Sequence, residues 1–301
     1  MQIAVIGAGL MGHGIALTMA RAGHRVVVTD PVDGARAALP TRVADSLRLM
    51  AIEPAPILAR ISVVATVPAA VAAAEFVFEA APEKLALKQS LFAEIEAHAP
   101  ATAILCSNTS VMPITQIMAG LRDKTRGLGT HWWNPPHLFP LVVVIRTVDT
   151  SETAMTATMV LLVSAGKTPV RVEKDVPGFI GNRLQHALWR EAISLVERGI
   201  CDAAAVDAVI KASFGRRLAV LGPLENADLV GTDLTLDIHT TVLADLENRP
   251  GPSPLLQQMV AEGRLGMKSG QGFHRWTPDD AQALRAKVVG HLMALATLVE
   301  G

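Results

Sequence analysis

The sequence predicts an α/β chain in which a mostly parallel sheet with crossover helices is followed by an all-α C-terminal domain. Three observations lead there. From residue 1 to about 175, short β-branched runs alternate with longer helical stretches; a glycine-rich turn joins the first run to the first helix; beyond 174–178 the pattern turns helical.

In chain order, the first strand is Ile3-Ala4-Val5-Ile6, followed by a helix over 10–22 and a second strand over 25–29. Further strands are expected at 61–65, 76–78, 103–106, 128–131, 141–145 and 169–172, with helices between most of them. The Ala-rich stretch 69–74 reads as helix rather than disorder. After Lys174-Asp175-Val176-Pro177-Gly178 come helical stretches at 179–198, 203–214, 226–246 and 254–262. Two domains follow from this, 1–175 and 176–301.

Composition excludes several classes. Of 301 residues about half are apolar, and 27 basic against 28 acidic side chains leave a net charge of −1, so nothing marks a nucleic-acid or anionic membrane surface. Two cysteines, Cys106 and Cys201, give neither a disulfide framework nor a zinc spacing; no metal is expected, and a reducing cytoplasm is the default. With no Tyr in the chain, the Tyr-x-x-x-Lys proton donor of short-chain dehydrogenases is excluded. Residues 1–20 lack a charged side chain if His13 is neutral, but glycines at 7, 9, 12 and 14 suit neither a signal peptide nor a membrane span.

Gly7-Ala8-Gly9-Leu10-Met11-Gly12 follows a strand and opens a helix. In that context the first glycine permits a tight turn, the second lets backbone approach a pyrophosphate, and the third lets helix pack on strand. The helix N-terminus then faces the phosphates. Asp30, closing the second strand, places a carboxylate where ribose hydroxyls can donate to it. It would repel a 2′-phosphate, so NAD is expected over NADP. The first domain is thus Rossmann-type.

Three further clusters sit at strand ends, where open α/β sheets bind ligands. In Phe78-Glu79-Ala80-Ala81-Pro82-Glu83 with Lys88, a plain reading makes Glu83 a first-turn helix acid and Lys88 a solvated cation. Cys106-Ser107-Asn108-Thr109-Ser110 is equally a helix cap. His131-Trp132-Trp133-Asn134-Pro135-Pro136-His137 joins a His to two of the four Trp residues in a proline-stiffened loop, which suits a preorganised site.

These clusters, followed by Val176-Pro177-Gly178-Phe179-Ile180-Gly181-Asn182-Arg183 and closing on Gly266-Met267-Lys268-Ser269-Gly270-Gln271-Gly272-Phe273, resemble the 3-hydroxyacyl-CoA dehydrogenase family over nearly the whole chain. The resemblance implies an NAD-dependent enzyme with a helical dimerisation domain, a homodimer, and a small hydroxy acid or acyl-CoA as substrate. It implies that His131 is the general acid/base, that Ser110 and Asn182 hold the substrate oxygen, and that Asn134 lies by the reacting ring. It places Gly7, Gly9, Leu10, Met11, Gly12, Asp30, Glu83, Lys88 and Asn108 at the cofactor.

One departure stands out. The family pairs its catalytic His with a Glu in the strand after the Asn-Pro loop, and here Leu141-Val142-Val143-Val144-Ile145 puts Val143 at that position. Residual or relocated catalysis is expected, with an impaired variant or an NAD-binding crystallin-like protein as the alternative. For substrate, family members that take acyl-CoA present a lysine-rich helix pair after the second strand, whereas residues 31–60 read as short, proline-interrupted pieces with arginines and no Lys. Asn134-Pro135-Pro136-His137 looks closer to relatives acting on free hydroxy acids, such as gulonate, carnitine and pyridine-carboxylate dehydrogenases. Arg146 and Arg183 are candidate carboxylate clamps. The β-hydroxyacid dehydrogenases related to 6-phosphogluconate dehydrogenase share the glycine motif but rely on a junction Lys, for which only Lys174 is on offer.

Overall fold

Buried β-branched runs favour parallel strands covered on both faces, and the computed structural model, which describes residues 1–299, builds eight of them into one sheet. The strands are β1 (Gln2–Ile6), β2 (Arg25–Thr29), β3 (Ile61–Val64), β4 (Phe76–Glu79), β5 (Ile104–Ser107), β6 (Gly127–Trp132), β7 (Leu141–Ile145) and β8 (Thr168–Val172). Their order is β3-β2-β1-β4-β5-β6-β7-β8. The first six are parallel, β7 runs antiparallel to β6, and β8 is parallel to β7. The chain adds β2 and β3 on one side of β1 and then crosses to add β4 on the other; open α/β sheets bind ligands at the carboxyl ends of the strands where the strand order reverses in this way.

Helices α1 (Leu10–Arg21), α2 (Asp33–Leu49), α3 (Ala55–Leu58), α4 (Val67–Val71), α5 (Leu85–His98), α6 (Ile114–Ile117) and α7 (Glu152–Ser164) belong with the sheet. Alternation along β1 sorts its side chains between two cores: Ile3 and Val5 join one buried cluster, Ala4 and Ile6 the other. The stretch 31–60 corrects the sequence reading. Instead of short pieces it holds a 17-residue helix, α2, that runs straight through Pro40. Burial of Leu39, Val43, Ala44 and Leu47 on one face offsets the hydrogen bond the proline removes.

Helices α8 (Gly181–Glu197), α9 (Ala203–Ala212), α10 (Pro223–Val230), α11 (Thr232–Val242), α12 (Pro254–Ala261) and α13 (Pro278–Val299) complete the chain. The helix expected over 226–246 is two helices, broken at Gly231, whose φ of 101° only glycine adopts without strain. Helix α13 lies beyond the stretches whose periodicity was legible. The chain divides into two compact units, Met1–Arg183 joined by the segment from His291, and Leu184–Gly290. Among the described residues no helix is long and apolar enough to cross a membrane.

Candidate active site

The glycine loop is shaped by contacts that exclude side chains. Gly7 has φ +113°, and a Cβ there would stand 2.8 Å from the Ala80 carbonyl oxygen. A Cβ on Gly12 would lie 1.8 Å from the Gly7 oxygen, so α1 can approach β1 only with glycine at that position. Gly9, in contrast, faces open space, with nothing within 4 Å of its would-be Cβ. It caps α1 without a side-chain bond, and no acid occupies the first turn. Free amide N–H groups at an uncrowded glycine form a cradle that fits a dinucleotide pyrophosphate.

Asp30 follows β2 and ties this loop down. Its Oδ2 accepts from the Ala8 amide at 2.8 Å and its Oδ1 from the Val32 amide at 2.9 Å. Each oxygen keeps a lone pair for a ribose hydroxyl. Two arginines of α2 close in: Arg36 bonds the Asp30 carbonyl and pairs with Asp33, and Arg42 donates to the Ala8 carbonyl at 3.0 Å.

At the carboxyl end of β4, Lys88 is not the solvated cation of a surface helix. It is fully buried and donates to Glu79 at 2.6 Å, and Glu79, also fully buried, accepts from the Ser107 hydroxyl at 2.6 Å and the Ala81 amide at 2.7 Å. Glu79 carries no role in the sequence reading, although an acid closing an otherwise apolar strand is a signal that it has a partner. Lys88 also reaches the Ala81 carbonyl at 3.1 Å and lies 3.7 Å from Glu83. It therefore supports the loop from beneath.

Glu83 joins two clusters that are far apart in sequence. Its carboxylate accepts from the Thr109 hydroxyl at 2.9 Å and from the Ser110 amide. Asn182 then donates its amide to the Ser110 carbonyl at 2.6 Å, across 72 residues. Asn108 instead joins two strands, its Oδ1 accepting from the Trp132 amide at 3.0 Å and clipping the end of β5 to β6. Asn134 is exposed, and the Asn134–Pro135 peptide is cis.

His131 lies near the carboxyl end of β6, only 4% exposed, with ring centroids of Trp133 at 5.5 Å and Phe179 at 5.8 Å. Phe179 reaches it from a turn in which Gly178 and Phe179 both have positive φ. In the antiparallel β6–β7 register His131 stands opposite Val143. The His131 Nδ1 is buried and has no hydrogen-bond partner. Burial pushes this imidazole below its ordinary pKa, with the Glu83 charge pulling the other way. A neutral ring at neutral pH is set up to take a proton.

Of the two candidate carboxylate clamps, Arg146 is already engaged by Glu152 and the Thr150 carbonyl, with Glu173 at 3.6 Å. Arg183 makes one long contact of 3.5 Å to the Pro177 carbonyl. Sequence reasoning also passed over Lys167, a buried amine held by carbonyls of the His131–Asn134 loop region.

Known proteins resemble the chain along its length. Residues 2–176 match the family description "3-hydroxyacyl-CoA dehydrogenase, NAD binding domain", and residues 178–276 match its C-terminal domain. A 5-formyl-3-hydroxy-2-methylpyridine 4-carboxylate 5-dehydrogenase of Mesorhizobium japonicum is 34% identical over all of this chain and 98% of its own length. A crystal structure of a dehydrogenase of that name, described as an NAD+ dependent dismutase, is similar with a TM-score of 0.92 at 34% identity, covering 100% of this chain and 98% of the other. The (S)-3-hydroxybutyryl-CoA dehydrogenase of Ralstonia eutropha is similar at a TM-score of 0.76 and 33% identity, over 92% of this chain and 99% of its own.

Proposed function

The chain belongs to the 3-hydroxyacyl-CoA dehydrogenase family, NAD-dependent enzymes acting on a CH–OH group, and we propose that it oxidises a small hydroxylated carboxylic acid with His131 as general base. The observation that carries this reading is the joining of Glu83, Ser110 and Asn182 in one bonded chain, at the carboxyl ends of neighbouring strands of which one, β6, carries His131 with its Nδ1 buried and unpartnered.

Bound NAD would rest on the Gly7–Gly12 loop and Asp30 and would accept the hydride from the substrate carbon. The protein's own residues handle the oxygen. Ser110 and Asn182 offer donors that hold the hydroxyl and stabilise negative charge as it develops there. The neutral His131 ring takes the hydroxyl proton, and the same group returns it in the reverse direction. Asn134 orients the reacting ring. With Val143 in place of a carboxylate, nothing but protein interior faces Nδ1, so the imidazolium formed in the transition state is poorly stabilised and turnover is slow.

A free acid is favoured over an acyl-CoA by the absence of lysine between 31 and 60 and by the structural match, with a TM-score of 0.92 to a pyridine-carboxylate dehydrogenase against 0.76 to a hydroxybutyryl-CoA dehydrogenase. Domain 1–175 binds the cofactor, and 176–301 supplies the dimer contact and part of the substrate site. NADH formation, assayed over hydroxylated pyridine carboxylates, aliphatic hydroxy acids and 3-hydroxyacyl-CoA with NAD affinity measured in parallel, tests the proposal. Turnover of a free acid supports it. Tight NAD binding without turnover of any of them would favour a binding protein instead.

A further inference from the structure

Lys167 sits in the turn between α7 and β8 and is 9% exposed. Its ammonium donates to the Pro136 carbonyl at 2.6 Å and the Phe139 carbonyl at 2.9 Å, and lies 5.7 Å from the centre of the Trp132 ring. Among the described residues no acid pairs with it. A buried, unpaired cation is expensive unless its donors are used, and here both carbonyls it binds and the ring it faces lie on the segment that carries His131 and Asn134. A Cβ on Gly14 of α1 would meet Pro136 at 2.8 Å and His137 at 3.2 Å, so α1 packs closely against the loop as well.

We infer that Lys167 is a positioning residue for the reaction: by binding two carbonyls across 136–139 and facing Trp132, it fixes the loop on which Asn134 stands relative to His131. The inference rests on the reading of that loop as part of the active site. A lysine suits the role because one ammonium reaches two carbonyls that diverge, with a third contact to the aromatic face.

The charged neighbours are His137 on the loop and His13 and Arg21 on α1. Burial, then the Arg21 charge, lowers the Lys167 amine to about 8, whereas burial, then His13, Lys167 and Arg21, lowers His137 to about 4. The clamp therefore loses its charge just above neutral pH, and the histidines do not titrate in that window.

Two measurements test this. In cofactor-free protein, tryptophan emission followed from pH 6 to 10 should show a step near pH 8 as the ammonium beside Trp132 is lost. The step should vanish in both Lys167→Met and Lys167→Arg. A step that persists in either variant, or none in the unmodified protein, overturns the inference. In turnover, Lys167→Met should lower kcat on the order of 10²-fold with NADH affinity little changed, as expected for a misplaced catalytic loop. Lys167→Arg should restore most of kcat and hold it above pH 8, where the unmodified enzyme declines. A Met variant as fast as the unmodified enzyme would also overturn the inference. No turnover by the unmodified protein would refute the functional reading instead, leaving the emission test to decide on the clamp.

Discussion

His131 and Val143 stand opposite each other across the antiparallel β6–β7 pair, and the imidazole Nδ1 is buried with no partner. Cross-strand partners share one face of the sheet with Cβ atoms about 5 Å apart. A residue at 143 is thus the natural source of a second group for the ring, and a valine has none to give. Val143 instead belongs to the apolar cluster on that face of the sheet, which also includes Ile114 and Phe179.

Glu83 is then the carboxylate whose charge reaches His131. Glu83→Gln removes that charge and keeps much of the shape, so the imidazole pKa should fall further. The acid limb of the pH–rate profile should move to lower pH, and kcat should drop through loss of imidazolium stabilisation. An acid limb that does not move would show that Glu83 does not act on His131.

Lys88→Met should destabilise the protein by about 2–4 kcal/mol, somewhat below the range for breaking a buried ion pair because Glu79 keeps the Ser107 hydroxyl and the Ala81 amide. Denaturant unfolding measures it. A loss under about 0.5 kcal/mol would mean that the pair is not formed in solution.

Asp30→Ser should narrow the preference for NADH over NADPH, because the repelling carboxylate goes while a hydroxyl remains to accept from the Ala8 amide. Titration of both cofactors checks it. Equal affinities in the unmodified protein would remove Asp30 from the discriminating role.

The helical unit leaves large apolar side chains uncovered, including Leu184 at 58%, Trp189 at 48%, Leu229 at 71% and Leu236 at 67% exposure. Exposed apolar side chains suit burial against a second copy of the chain. Light scattering at micromolar concentration should give twice the chain mass, and a monomer there would contradict the homodimer.

Much of this was legible in the sequence because buried strands show as short apolar runs: β7 at 141–145 is read to the residue. The glycine loop was legible because a Cβ at Gly7 or Gly12 would collide with backbone, which keeps the motif's spacing visible. The direction of β7 was hidden, since side-chain pattern does not encode it, though the short 133–140 link is too brief for the crossover a parallel neighbour needs. Pro40 suggested a break in α2 that tertiary burial overrode. Lys88 read as a surface charge, and Glu79 had no role, because their pairing depends on β4 and α5 meeting, which local pattern does not reveal. Lys167 was invisible for the same reason: its acceptors lie about thirty residues away.

Whether His131 is the general base and works without a carboxylate partner is decided by the turnover of Val143→Glu. A carboxylate in this apolar position costs several kcal/mol unless paired, and the unpartnered Nδ1 is the partner at hand. The variant should fold, its kcat on the best hydroxy acid should rise about tenfold or more, and its acid limb should shift to higher pH with NADH affinity nearly unchanged. A variant that fails to fold, or that folds with turnover no faster than the unmodified protein, would show that the site is built around Val143 and would contradict that role for His131.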